Sequence, residues 1–452
     1  VQALDNRGIA LQSLHRLTEA VESHQKAINL MPFNANAYNN CGNAFSALKK
    51  TKEALTYYGQ AINLNPNFVE AHFNKGRTLL CLHRTKEALK SFKTVFELNP
   101  NNAPVCNLIG VQLSNQGSEL MVEALEYFKA ATVIDSKNAE FHYNLGIIYQ
   151  RQQQFNLALE AYQRALSVSP SYKFLFGRYL NMKLSLCNWK DLNEEIEMYA
   201  SKIAQGKAVT TPFVASILLN RPDLQQIAAQ QYSSIRFAKK MQNYFGRENQ
   251  RNQLSKIRIA YYSADFHNHA TAYLMAQLFE LHDKSRFEVY AFSFGPDVQD
   301  DMRERLIRSF DCFYSVINKS DEQIAQLSRK LGIDIAIDLK GYTGSHRAGI
   351  FAVRCAPIQI NYLGYPGTMG AEFMDYIIAD RTIIPPELEH HCTEKVIRLP
   401  DSYQPNDRQR AIADYTPTRA ELGLPKGAFI FCCFNNNYKI LPETFDSWIR
   451  IL

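Results

Sequence analysis

Two histidines, His267 and His269, stand just beyond an apolar run at 257–263 that reads as a buried strand. Ser263, Ala264, Asp265 and Phe266 break the run, and 270–281 continues as a helix. In an open α/β sheet the loop past the carboxyl end of a strand is where ligands bind. An imidazole there, with an ordinary pKa near roughly 6.5, can accept a proton or orient a substrate oxygen. By position His269 is a credible candidate for that work. Lys439 is a second candidate. It follows an apolar run at 429–434 and precedes a helix from Pro442, so its charge can join a helix N-terminus in holding phosphate. Leu363, Gly364, Tyr365, Pro366, Gly367 and Thr368 form a turn whose two glycines let backbone approach a ligand closely.

Other chemistries are argued against. His267 and His269 lack a third ligand at metal-site spacing, and no D-x-D occurs, so no metal is expected. No G-x-G-x-x-G follows the first strand, which argues against an NAD enzyme. His390 and His391 lie in a Pro/Glu loop and are read as solvent-exposed.

These side chains need a scaffold. Strands are predicted at 257–263, 287–294, 312–316, 333–339, 358–363, 374–379 and 395–399, with helices at 270–281, 299–309, 320–331 and 346–354. Short strands alternating with helices of this length indicate a parallel, doubly wound sheet. A further strand is predicted at 429–434, then a helix at 442–452.

The first 170 residues repeat. Gly8, Ala20, Ala27 and Pro32 return as Gly42, Ala54, Ala61 and Pro66, and again with Gly76, Gly110 and Gly146. The fourth copy carries two extra residues, placed near Gln116 and Glu119. A 34-residue helix–turn–helix period is the tetratricopeptide signature. Two residues before four of the five glycines lies an asparagine: Asn6, Asn40, Asn74 and Asn144, with Leu108 in the fourth copy. An amide both donates and accepts, so such a ladder along the groove can pair a peptide's backbone.

The 452 residues carry a net charge of +6 and 46% apolar residues. Ordinary globular domains are expected, and so mild and dispersed a charge does not point to nucleic acid. No apolar stretch is long enough to cross a membrane, and no signal peptide is visible. Nine cysteines at irregular spacing, without C-x-x-C, suit a reducing, cytoplasmic setting, with the nucleus open to a eukaryotic protein. Both ends fall inside helical patterns, as in a piece of a longer chain.

With SADFHNHATAYLM, DLKGYTGSHR, APIQINYLGYPGTMG, FMDYIIAD and FNNNYKI following in order, the chain resembles the protein O-linked N-acetylglucosamine transferase family and its SPINDLY-like relatives. The resemblance implies an α plus α/β protein: a tetratricopeptide superhelix, then two Rossmann-like lobes of the GT-B type, the second truncated here. The expected division is repeats at 1–171, a helical connector at 172–252, the first catalytic lobe at 253–400, a linker at 401–426 and the start of the second lobe at 427–452. The implied activity is inverting transfer of GlcNAc from UDP-GlcNAc, a co-substrate needing no further cofactor, to Ser or Thr of intracellular proteins held in the groove. By this resemblance His269 lies at the sugar as proton acceptor, Lys439 meets the donor diphosphate, and 363–368 lies beside the sugar. Asn436 stands where the family has glutamine, which shortens a phosphate-contacting side chain. Two alternatives stay open: a SPINDLY-like O-fucosyltransferase using GDP-fucose, and a catalytically incomplete tetratricopeptide scaffold. A chain ending at Leu452 is expected to be inactive by itself.

Overall fold

A computed structural model describes residues 1–241, 256–412 and 414–452. It divides into two compact units, Val1–Leu175 and Phe176–Leu452. The predicted boundary at 252/253 lies outside the described residues.

The first unit is ten helices in five hairpins: α1 (Gln2–Ser13), α2 (Leu17–Leu30), α3 (Ala35–Ala47), α4 (Thr51–Leu64), α5 (Val69–Cys81), α6 (Thr85–Leu98), α7 (Ala103–Ser114), α8 (Met121–Ile134), α9 (Ala139–Arg151) and α10 (Phe155–Val168). Asn34, Asn102 and Asn138 cap α3, α7 and α9, their side chains accepting from first-turn amides. The repeated glycine of each hairpin lies under a ring of its partner helix. A Cβ there would stand 2.4 Å from the His24 ring at Gly8, 2.7 Å from Tyr58 at Gly42 and 2.7 Å from Phe92 at Gly76. At Gly110 and Gly146 it would meet Phe128 at 2.8 Å and Tyr162 at 2.4 Å.

The turns between paired helices recur as well. His15, Lys49, His83 and Gln153 all adopt left-handed φ of 57 to 60°. The next amide reaches back to close each turn, as Lys50 N does on Phe45 O at 2.9 Å. Gly117 holds this place in the fourth hairpin, and the two extra residues are taken up by the 3₁₀ turn Ser118–Leu120.

In the second unit, α11 (Leu175–Ser185), α12 (Leu192–Ala204), α13 (Pro212–Leu218) and α14 (Pro222–Met241) precede the sheet. Its strands are β1 (Ile257–Ser263), β2 (Phe287–Ser293), β3 (Cys312–Ser315), β4 (Ile335–Asp338), β5 (Ile358–Tyr362), β6 (Tyr376–Ala379) and β7 (Lys395–Arg398). All neighbours are parallel, in the order β3-β2-β1-β4-β5-β6-β7. The intervening helices are α15 (Ala270–Glu280), α16 (Asp301–Ser309), α17 (Asp321–Lys330) and the short α18 (Gly349–Ala352).

Both sheet faces are covered, as a parallel sheet requires. Ile259, Tyr261, Val289, Ala291, Ile337 and Ile360 pack on α15 and α16 through Met275, Phe279 and Leu306. On the other face Tyr262 stacks on Phe292, meets Phe351 edge-on and donates to Ser328 Oγ of α17 at 2.6 Å. Helix α14 belongs to this unit. It presses on Gly370, whose Cβ position lies 2.4 Å from Gln230 N, while Tyr232 meets Tyr342 and Phe237 meets Phe373.

Residues 429–434 form no strand, contrary to expectation. Phe429 and Phe434 are 80% and 95% exposed. A strand needs a neighbour to take its backbone hydrogen bonds, and no described strand lies beside this run. The predicted helix does form, as α19 (Pro442–Ile451), with Phe445 against Trp189 at 5.3 Å.

The glycine contacts set a clear expectation. Gly76→Val should lower stability by about 1–3 kcal/mol, because Phe92 must give way. Gly59→Ala, with open space around it in α4, should raise stability by about 0.5–1 kcal/mol. Urea unfolding of both variants reads the difference, and equal midpoints would remove the packing argument.

Candidate active site

From β1 the chain runs outward to β2 and β3, then returns to β4 on the other side of β1 and continues to β7. Strands β1 and β4 are therefore the switch point of the sheet, where neighbouring loops part and leave a crevice at the carboxyl edge. Asp265, His267 and His269 follow β1 there. Asp338, the last residue of β4, is joined by Lys340 and Tyr342.

Lys340 and Asp265 are both buried and form an ion pair, Nζ to Oδ2, at 2.7 Å. The same Oδ2 lies 3.6 Å from His269 Nδ1. His269 is the N-cap of α15, and its Nδ1 accepts the Thr271 N–H at 3.2 Å. Burial lowers the pKa of His269, opposed by Asp265 and reinforced by Lys340 and His267. The His267 ring lies 5.9 Å from that of His269. Burial pushes Asp338 up to about 7, and its Oδ1 accepts the Lys340 N–H at 2.9 Å. Asp265, Asp338 and Lys340 were not singled out in the sequence. The signal was a charged pair inside two apolar strand ends, S-A-D and I-D-L-K, 75 residues apart.

The 363–368 turn is largely packed into its own lobe. Leu363 takes φ +67°, and Gly364 presses on the loop after β4, its Cβ position 2.1 Å from Leu339 O. Asn361 Nδ2 donates to the carbonyls of Tyr365 at 3.0 Å and Gly367 at 3.2 Å. Tyr365 is buried beside Tyr342, and Thr368 donates to the buried Glu394 at 2.7 Å. Pro366 is exposed. Gly364 thus makes a close backbone approach to the neighbouring loop.

Lys439 ends the 3₁₀ turn Asn437–Lys439, with Asn436 as its N-cap; both Lys439 and Asn436 are exposed. Asn437 Nδ2 donates to Ser185 O. Among the described residues no hydrogen bond or ion pair joins Lys439 to the crevice loops, and no group of three His, Cys, Asp or Glu is placed to hold a metal.

The profile of glycosyl transferase family 41 matches residues 225–417 and 413–452. The chain belongs to glycosyl transferase family 41. Tetratricopeptide profiles match this family-41 chain at 1–67, 57–90, 122–153 and 139–172. It is 37% identical over 202 residues to a probable UDP-N-acetylglucosamine–peptide N-acetylglucosaminyltransferase SEC of Arabidopsis thaliana, covering 44% of this chain and 21% of the relative. It is 30% identical over 222 residues to the probable enzyme of that activity named SPINDLY in the same plant, covering 48% and 24%. A solved structure of a Thermobaculum terrenum O-GlcNAc transferase mutant shares the fold, with a TM-score of 0.54 and 24% identity, over 85% of this chain and 66% of that one. The chain thus spans about a quarter or less of these curated relatives' length.

In the repeats of this family-41 chain the asparagines link successive hairpins. Asn40 Nδ2 donates to Asp5 Oδ2 at 3.0 Å, Asn74 to Asn39 Oδ1 at 3.2 Å and Asn144 to Asn107 Oδ1 at 2.8 Å. Asn6, with no hairpin described before it, is exposed. Leu108 replaces the asparagine in the fourth hairpin, and the matching residue of the third is Phe73; both pack on one apolar cluster. Each bonded amide has a carbonyl oxygen and a second N–H besides the one used at the joint. No helix among the described residues is long and apolar enough to cross a membrane.

Asn74→Ala strands the buried Asn39 oxygen and should cost about 1–3 kcal/mol. Chemical denaturation measures this without any peptide present. An unchanged midpoint would leave the amide with no part in joining the hairpins.

Proposed function

We propose that this protein transfers N-acetylglucosamine from UDP-N-acetylglucosamine to Ser or Thr hydroxyls of other proteins, with inversion at the anomeric carbon. The reading is carried by family-41 membership of a lobe that sets His269 at the switch-point crevice. The relatives' names supply the donor and the peptide acceptor. The acceptor oxygen attacks the anomeric carbon opposite the diphosphate and passes its proton to an oxygen of the departing diphosphate. The bond from that carbon to the phosphate oxygen breaks, and its electron pair leaves with UDP.

Three demands follow: the hydroxyl must be aimed, the departing charge held and water kept out. His269 serves the first at the sugar. Lys439, an exposed ammonium ahead of α19, serves the second together with Asn436. Pro366 and the neighbouring 363–368 backbone border the sugar. The asparagines Asn6, Asn40, Asn74 and Asn144 offer their remaining amide groups to an extended peptide. The nine free cysteines suit the reducing cytoplasm.

The full-length protein, incubated with labelled UDP-GlcNAc and separately with GDP-fucose, should label a Ser/Thr peptide from the first donor alone. Labelling from GDP-fucose alone would replace the donor, and labelling from neither would discard the transferase reading. Lys439→Met should reduce kcat by about 100-fold or more with peptide affinity unchanged.

A further inference from the structure

Asp265 stands between two cations, one permanent and one conditional. Its Oδ2 is 2.7 Å from the Lys340 ammonium, a short charge-assisted bond, and 3.6 Å from His269 Nδ1, beyond hydrogen-bond reach. Nδ1 is occupied from the other side, where it accepts the Thr271 amide at the start of α15. A backbone N–H only donates, so Nδ1 must present its lone pair. A neutral ring then carries its hydrogen on Nε2. Nε2 has no hydrogen-bond partner among the described residues.

The usual N-cap is Ser, Thr, Asp or Asn, whose oxygen accepts from the first turn. Here an imidazole nitrogen does that work, and doing so fixes which edge of the ring is a donor. The arrangement is conditional on Asp265 being engaged elsewhere. A buried carboxylate without a cation would draw a neighbouring hydrogen, and His269 Nδ1, 3.6 Å away, is placed to supply one. Lys340 removes that demand.

We propose that Lys340 is a positioning residue: by holding the Asp265 carboxylate it keeps His269 in the Nε2–H tautomer, so that the ring meets substrate as a hydrogen-bond donor. This rests on the placement of His269 at the sugar proposed above. Its consequence departs from the proton-acceptor role implied by the resemblance. An Nε2–H can bond a sugar or phosphate oxygen, whereas a ring in this form has no free lone pair with which to take the acceptor's proton. The groups bearing on the ring are Asp265, Lys340 and His267, together with burial.

Histidine-selective ¹⁵N labelling reads this directly, without donor or peptide. His269→Gln identifies the His269 signals among those of the 11 histidines. At neutral pH the parent protein should show a protonated Nε2 and an unprotonated Nδ1. Lys340→Met should move the proton to Nδ1 and strengthen proton binding by the ring about tenfold or more. Lys340→Arg should restore the parent pattern. Adding Asp265→Ala to Lys340→Met should also return the ring to Nε2–H, which distinguishes release of the carboxylate from general damage. A parent ring protonated at Nδ1, or a Lys340→Met ring with unchanged tautomer and proton affinity, overturns the proposal. If Lys340→Met does not fold, Lys340→Leu is read in its place, with the same expected tautomer and the same overturning result. These spectra are independent of turnover, so failure of the donor assay and failure of this proposal are separate results.

Discussion

The ion pair of Lys340 and Asp265 ties the loop after β1 to the loop after β4 across the switch point of the sheet. Two charges taken out of water gain only if their geometry is good, and removal of one partner alone typically costs about 3–5 kcal/mol. The surroundings supply that geometry. Ser263 Oγ accepts the Asp265 amide, Asp338 accepts the Lys340 amide, and Gly364 lets the loop after β5 close on Leu339. Helix α14 backs the same loops through Tyr232 and Gly370. The position of His269 is thus set by contacts from β1, β4, β5 and a helix far earlier in the chain.

The repeat unit obeys a different constraint, that of close approach between paired helices. A glycine beneath a ring, a left-handed turn residue and an inter-hairpin polar pair recur in register. Only the third depends on a neighbouring hairpin, and it is joined by apolar clusters that run across successive hairpins, so packing and a few directed bonds together hold the array.

Much of this was legible in the sequence, for reasons that differ by element. The glycine and alanine positions announced the hairpins because helix packing demands small residues at a fixed spacing. The central strands β1, β2 and β4 were legible as largely apolar runs, since parallel strands covered on both faces are apolar through most of their length, while the edge strands β3 and β7 are only partly buried. The run at 429–434 is as apolar and has no partner strand among the described residues, and composition does not report a partner. His269 could be placed because it follows a strand directly. Its neighbours Lys340 and Asp265 could not be paired, because their contact spans 75 residues and depends on β4 returning beside β1. The left-handed turns at His15, Lys49, His83 and Gln153 were hidden because their residue types do not announce positive φ.

The pairing between hairpins also bears on how such an array can be shuffled. Asn40 answers Asp5, Asn74 answers Asn39 and Asn144 answers Asn107, whereas Leu108 answers Phe73. Polar faces polar at three joints, and between the third and fourth hairpins both matching residues are apolar. The hairpins are therefore not interchangeable modules. Moving the fourth to follow the first would set Leu108 against the Asp5 carboxylate, while the third and fourth travel together as a matched pair. Duplication or loss of repeats in a lineage of this chain is channelled toward cuts that leave each joint with its own kind.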